Sequence, residues 1–140
     1  MFTTVKNKIE IENMRESGRI LSHVLNNLST RVFEGMTTKD IAEIAKKELK
    51  PTGGLPTCLG YHGFPDVICI SVNDEVVHGI PRSNKKINNG DIVSLDFGVT
   101  FNGMITDSAI SLIVGSPKDK KHLELVENTK KSLMKGISVV

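Results

Sequence analysis

The sequence predicts an α+β domain in which helices pack on one face of an antiparallel sheet. Two amphipathic segments come first, a β-rich stretch ending in a long hairpin follows, and a third amphipathic segment comes last. Strands and helices do not alternate as they do in parallel βαβ units, so a sheet covered on one side is the expected architecture. A chain of 140 residues suits one domain, and we expect residues 1–140 to form it.

Both N-terminal helices begin with a capping signal. Asn7 and Glu10 have capping-box spacing, and the apolar residues after them recur at helical intervals, which predicts a helix over about residues 7–30. Thr37 and Asp40 repeat the signal, and a proline with two glycines soon afterwards should end the second helix. We expect both helices to share the apolar face of the hairpin.

The middle of the chain should contain a long loop and two short strands. Residues 53–65 are rich in glycine and proline and are predicted to form the loop. Residues 67–72 should form a strand, with Asn73 and Asp74 as its turn, and residues 75–78 a second short strand.

The last helix should follow the hairpin. Ser116 is its predicted N-cap, Pro117 occupies the favoured first position, and Asp119 completes the box. The helix should end near Gly136.

The sequence predicts a β-hairpin over residues 90–115 together with its register. Asn102-Gly103 is the strongest short-range signal for a two-residue turn. With that turn Asp107 faces Gly98, and Asp96 lies one diagonal step away, with Cβ atoms roughly 7 Å apart or less. The two-residue period places both aspartates on one face. The opposite face is the predicted core face and carries Val93, Leu95, Phe97, Val99 and Phe101.

Asp96 and Asp107 are candidate metal ligands. Aspartate is depleted in strand interiors, and two carboxylates at diagonal positions repel each other unless a cation lies between them. Hard divalent metals prefer such oxygen ligands. The alternative is a solvated face that carries two acids, because antiparallel sheets commonly keep one face in water.

His78 and the loop before it each have a functional and a structural interpretation. A neutral imidazole at position 78 could donate to a substrate carbonyl, or it could bond to nearby backbone. The loop CLGYHGFP, with Tyr61 and Phe64, could wall an apolar pocket or close the end of the core. Nothing in the sequence marks an activating base for Cys58, so it is not a candidate nucleophile.

Composition argues against several classes of protein. A net charge of +2 does not favour nucleic acid or an anionic membrane as a partner, and no apolar run approaches the length of a membrane span. Cys58 and Cys69 lack CxxC or zinc-ribbon spacing, so we expect reduced thiols in a cytoplasmic protein. The N-terminus contains acids and no apolar core segment, so we do not expect a signal peptide.

Two segments of the chain form a recognisable combination. They read CLGYHGFPDVICISVNDEVVHGIP, at residues 58–81, and NNGDIVSLDFGVTFNGMITDSA, at residues 88–109. Together they closely resemble type I methionine aminopeptidases, and the resemblance extends over essentially the whole chain. It implies the N-terminal half of a pita-bread (creatinase/aminopeptidase) fold. It also implies metal-dependent removal of the initiator methionine from nascent proteins.

The resemblance also implies roles for individual residues. Asp96 and Asp107 match two metal ligands, with Asp107 bridging up to two divalent Co, Mn, Fe, Zn or Ni ions in the intact family site. These ions would activate a water and polarise the scissile carbonyl. His78 matches the histidine that contacts the scissile peptide. The methionine side chain would bind in a pocket walled by Cys58, Tyr61, Phe64 and Cys69.

The remaining family ligands, one histidine and two glutamates, belong to a second pseudo-symmetric half, and no acid of this sequence matches them. The expected substrate is a peptide or nascent protein that begins with methionine. We therefore expect a catalytic half that acts with the missing half or by self-association with a second copy. A catalytically inactive fragment or binding module is the alternative.

Overall fold

The computed structural model describes residues 5–140, so the signal-peptide expectation lies partly outside the described residues. The α-helices and strands of this part of the chain follow the predicted order with two differences: a short strand is added in the loop, and residues 75–78 do not form the predicted strand. They are α1 (Lys8–Ser29), α2 (Thr38–Leu49), β1 (Leu55–Pro56), β2 (Cys69–Val72), β3 (Ile92–Phe101), β4 (Met104–Ile113) and α3 (Lys120–Ile137).

The sheet is built around β3. β4 pairs with one edge of β3 along the whole length of both strands. β2 and β1 pair with different parts of the other edge of β3, and all pairings are antiparallel. Asn102 and Gly103 form the hairpin turn with φ angles of 47° and 79°, as a type I′ turn requires. The predicted register is confirmed, because Asp107 pairs with Gly98.

The core lies between the apolar face of the sheet and the first two helices. α1 packs across β3 and β4 and against α2. The predicted core face is confirmed on β3, where four of its residues are 0% exposed: Val93, Leu95, Phe97 and Val99. The same face continues on β4, where Ile110 and Leu112 are only partly buried and Ser108 is exposed. α2 adds residues to the same cluster, namely Ile41, Ala42, Ala45 and Leu49. The α+β prediction is therefore confirmed.

The predicted capping boxes begin the first two helices. Asn7 Oδ1 accepts from the Glu10 N–H at 3.0 Å, and Glu10 Oε2 accepts from the Asn7 N–H at 2.7 Å. Thr37 Oγ1 accepts from the Asp40 N–H at 3.1 Å, and Asp40 Oδ2 accepts from the Thr37 N–H at 2.8 Å. Each cap satisfies N–H groups that the first helical turn leaves unpaired and contributes about 1 kcal/mol.

The strand predicted over residues 75–78 is wrong. His78 has a φ of 58°, in the left-handed region that a strand does not contain. The segment is instead tied to the outer edge of β2, where the Ile70 N–H donates to Gly79 O at 2.8 Å and the Gly79 N–H donates to Ser71 Oγ at 3.2 Å. The predicted strand over residues 67–72 is present but begins at Cys69.

The predicted N-cap of α3 is also wrong. Asp119 caps the helix, with its Oδ1 accepting from the Lys121 N–H at 2.9 Å. The backbone N–H of Ser116 donates instead to Asn89 Oδ1 at 2.9 Å. This contact holds the segment against the loop that precedes β3, so the helix begins only after the segment.

α3 lies at the surface and has no buried residue. Two of its predicted apolar residues, Leu123 and Leu133, are 42% and 60% exposed. Within residues 5–140, none of the helices combines the length and apolarity needed to span a bilayer.

Replacing Ser17 by alanine should destabilise the packing of α1 on the hairpin. Ser17 is fully buried, and its Oγ lies 2.8 Å from both Val99 O and Thr106 Oγ1. We expect Ser17→Ala to lower the free energy of unfolding by about 1–2 kcal/mol, measured by urea denaturation. Ser22→Ala, at an exposed position of the same helix, should change it by less than about 0.5 kcal/mol. Equal effects of the two substitutions would contradict the prediction.

Candidate active site

A cleft of about 730 Å³ opens on the polar face of the sheet. The hairpin supplies one side of it, the loop before β2 supplies another, and the segment after β2 closes a third. Every residue that the sequence analysis singled out for the site contributes to its lining: Cys58, Tyr61, Phe64, Cys69, His78, Asp96 and Asp107.

Gly98 provides the space that the Asp107 carboxylate occupies. A Cβ atom at position 98 would lie 2.9 Å from Asp107 Oδ2 and 3.0 Å from Thr57 Cβ. The backbone N–H of Thr57 also donates to Gly98 O at 3.0 Å, which fixes the loop against β3. The missing side chain thus allows the carboxylate and the loop to approach the strand together.

The negative charge of Asp107 acts on the neighbouring Asp96. Burial raises the pKa of Asp96, and the negative charge of Asp107 and a hydrogen bond with its carboxyl raise it further, while His78 acts in the opposite direction. A cation held by the pair would remove this repulsion, and hard divalent ions prefer carboxylate oxygen. The donor chemistry therefore fits a divalent metal ion.

His78 reaches the cleft from the segment that is tied to β2. Gly79 is pressed against that strand, since a Cβ atom there would lie 2.1 Å from Ile70 O. The imidazole is exposed, and its Nδ1 lies 3.9 Å from Cys69 Sγ. The left-handed backbone at His78 and the close contact at Gly79 together place the ring beside Asp96.

The loop before β2 walls the cleft and does not close the end of the core. Tyr61 is 67% exposed and stands edge-on to the ring of His62, with ring centroids 4.4 Å apart. Phe64 is partly buried. Gly60 and Gly63 have φ angles of 81° and 80°, which give the loop its two sharp turns.

Both cysteines are free thiols at the cleft. Burial raises the pKa of Cys69 to about 12, and the nearby Cys58 thiol, when it is ionised, and the Asp96 carboxylate add to the effect. Burial also raises the pKa of Cys58. Both thiols are therefore protonated at neutral pH, which agrees with the sequence-based conclusion that Cys58 is not an activated nucleophile.

The sequence analysis missed three residues that line the cleft. Thr57 follows β1, and its Oγ1 lies 2.9 Å from Thr100 Oγ1 on the polar face of β3. Ile80 and Ile105 are apolar residues that are 40% and 53% exposed at the rim. A signal existed for Ile105, because an isoleucine on the polar face of a hairpin lacks a core to enter.

The family model of metallopeptidase family M24 matches residues 12–140. Among similar relatives, methionine aminopeptidase 1 of Bacillus subtilis is 43% identical over 130 residues. That alignment covers 91% of this chain and 51% of the relative. The chain thus spans about half the length of the relatives it matches.

The chain is also similar to solved structures, of which it again covers only a part. The methionine aminopeptidase from Thermotoga maritima aligns with a TM-score of 0.96 and 34% identity over 99% of this chain and 55% of that chain. The prolidase from Pyrococcus furiosus has a TM-score of 0.70 at 22% identity, which concerns the fold alone. The pita-bread fold prediction is confirmed by these likenesses. Because the family model matches nearly the whole chain, the chain belongs to metallopeptidase family M24.

Proposed function

We propose that residues 1–140 form a single domain that is the N-terminal half of the catalytic domain of a cytoplasmic methionine aminopeptidase, which removes the N-terminal methionine from nascent proteins and peptides. The observation that carries the proposal is the convergence of Asp96, Asp107 and His78 on one cleft. Membership of a metallopeptidase family implies a metal ion, and we propose divalent Co, Mn, Fe, Zn or Ni. A binding module without catalysis would not need these three side chains together.

Asp96 and Asp107 are the proposed metal ligands. Their two carboxylates leave most coordination positions of a divalent ion open. We therefore propose that further ligands come from additional polypeptide, either a second half of the fold or a second copy of this chain. Divalent ions held there would supply an activated water and polarise the scissile carbonyl.

His78 is the proposed positioning group for the scissile peptide. A neutral imidazole has one donor and one acceptor nitrogen, so it can hydrogen bond to either side of an amide. Its exposed ring at the cleft leaves it accessible to a peptide that enters from solvent.

The methionine pocket is proposed to lie between the loop and β2. Its proposed walls combine two thiols with two aromatic rings: Cys58, Cys69, Tyr61 and Phe64. An unbranched thioether adapts to such a pocket, and sulfur–aromatic contacts contribute about 0.3–1.5 kcal/mol. This chemistry supports methionine as the first residue of the substrate.

Asp107→Asn is the test of the proposed function. We expect the chain to bind Mn²⁺, measured by electron paramagnetic resonance, and the substitution to weaken binding at least about tenfold because it replaces a charged carboxylate ligand by a neutral amide. Asp74→Asn, at an exposed turn position, is the matched control and should leave the affinity unchanged. Unchanged affinity in Asp107→Asn would contradict the assignment.

Methionine release from a Met-Gly-Xaa peptide, with Mn²⁺ or Co²⁺ added, measures catalysis by the same protein. Turnover that Asp107→Asn abolishes would show that this chain carries a working site. Metal binding without turnover would show that the ligand set requires the additional polypeptide. Turnover that survives the substitution would contradict the proposed role of the aspartates.

A further inference from the structure

β2 brings a second type of metal-binding group next to the aspartates. Cys69 pairs with Asp96 across the β2–β3 ladder, so both side chains lie on the cleft face of the sheet. His78 approaches from the segment on the outer edge of β2. One ligand atom each from Cys69, His78 and Asp96 lies within 4.8 Å of the other two.

The separation of the cysteine and histidine ligand atoms is close to that of a tetrahedral site. Zinc binds cysteine sulfur at about 2.3 Å and histidine nitrogen at about 2.0–2.1 Å, which places the two ligand atoms roughly 3.5 Å apart at a tetrahedral angle. Cys69 Sγ and His78 Nδ1 are 3.9 Å apart. A small rotation of the exposed imidazole is enough to close the difference.

We propose that Cys69, His78 and Asp96 form a site for one soft divalent ion, with Zn²⁺ as the preferred ion. Sulfur, nitrogen and oxygen together form a softer ligand set than the two carboxylates of the aspartate pair, and thiolate favours zinc over hard cations. Thiolate and carboxylate would neutralise the two charges of the ion, and binding would release the thiol proton. A fourth position would remain open to water.

The site shares Asp96 with the aspartate pair but does not include Asp107. It stands on the geometry of its own three ligands and does not rest on the proposed function. If both assignments hold, an ion on His78 Nδ1 would take the nitrogen that could accept from the peptide and would leave only the Nε2–H as a donor to it.

Co²⁺ is the probe for the test, because a thiolate–Co²⁺ bond produces a charge-transfer absorption in the near ultraviolet that oxygen ligands do not produce. We expect this band when Co²⁺ is added to the reduced chain, and we expect Zn²⁺ to displace it. Cys69→Ser should abolish the band. Cys58→Ser, which changes the other thiol of the cleft, should preserve it.

Two further variants make the test decisive. His78→Asn suits the positive φ at this position and should weaken Co²⁺ binding at least about tenfold. Asp107→Asn should keep the band even though the proposed function requires it to lose Mn²⁺ affinity. Circular dichroism establishes that each variant is folded, and if Cys69→Ser does not fold, His78→Asn still decides the outcome.

Four results would overturn the proposal. They are no band in the unchanged chain, a band that persists in folded Cys69→Ser, a band lost in Cys58→Ser, and undiminished Co²⁺ affinity in His78→Asn. Loss of the band in folded Asp107→Asn would likewise overturn the proposal that the site does not include Asp107.

Discussion

Gly79→Ala is expected to lower the free energy of unfolding by about 3 kcal/mol or more. The added Cβ would lie 2.1 Å from Ile70 O, 2.6 Å from Ile70 C and 2.9 Å from Ser71 Cα. These are all backbone atoms of β2, so rotation of a side chain cannot relieve the clash. Relief requires the segment to separate from the strand, which breaks the 2.8 Å hydrogen bond from the Ile70 N–H to Gly79 O.

Urea denaturation followed by circular dichroism measures the effect. Gly136→Ala is the matched control, because no atom lies within 4 Å of a Cβ added there, inside α3. Alanine at that position should be neutral or stabilising by up to about 1 kcal/mol. If Gly79→Ala lowers the free energy of unfolding by less than about 1 kcal/mol, the segment can separate from β2 at little cost, which would contradict the prediction.

Asp91→Asn is expected to cost about 2–3 kcal/mol at neutral pH. Asp91 is 2% exposed and accepts from Lys118 Nζ at 2.6 Å, Asn73 Nδ2 at 2.9 Å and the Asn88 N–H at 2.8 Å. The substitution removes the charge partner of Lys118 and turns one acceptor oxygen into a donor. Circular dichroism in increasing urea measures the loss, with Asp74→Asn as the exposed control.

The same residue makes stability depend on pH. Burial raises the pKa of Asp91, but hydrogen bonds from Lys118, Asn73 and the Asn88 backbone, with the charge of Lys118, outweigh burial and lower it to about 2. A folded pKa below the unfolded one stabilises the protein above about pH 4, and this stability is lost as the pH falls towards 2.

Urea midpoints across that acid range should therefore fall more steeply in the unchanged chain than in Asp91→Asn. Between about pH 4 and pH 2, the free energy of unfolding should fall by about 2 kcal/mol more in the unchanged chain than in Asp91→Asn. Asp74→Asn should follow the unchanged chain. Parallel curves for Asp91→Asn and the unchanged chain would contradict the pKa shift.

Local signals were sufficient where the chain itself sets the geometry. The Asn102-Gly103 turn determines the register of the hairpin, and the two-residue period then assigns each side chain to a face, so the aspartate pair could be located before the fold was known. The first two helix starts were equally predictable, because a capping box lies within four consecutive residues.

Three features of the fold depend on tertiary contacts and could not be predicted from local sequence signals. β1 has only two residues, too few for a periodic pattern, and it exists because it pairs with β3. Residues 75–78 have the composition of a strand, yet the left-handed φ of His78 removes them from the ladder. The segment before α3 is held by Asn89 and Asp91, which are distant in sequence from the predicted Ser116 cap.

Only part of the site could be predicted from the sequence, because the rest also depends on tertiary contacts. No tight turn joins β2 to β3, so their register has no local determinant, and the pairing of Cys69 with Asp96 could not be read from the sequence. Thr57 follows β1, so its place in the cleft depends on a strand that the sequence did not predict. Cys69 entered the site prediction through family resemblance alone, as a wall of the pocket.

The alternation along β3 has a consequence for how this chain can vary. Phe97 lies in the core and its neighbour Asp96 in the cleft, so a shift of β3 by one residue relative to its neighbours would exchange their environments. Such a change would bury a carboxylate and expose a phenylalanine in a single event. We therefore expect a one-residue change in the length of β3 to be far more damaging than one in the loops, unless a β-bulge absorbs it.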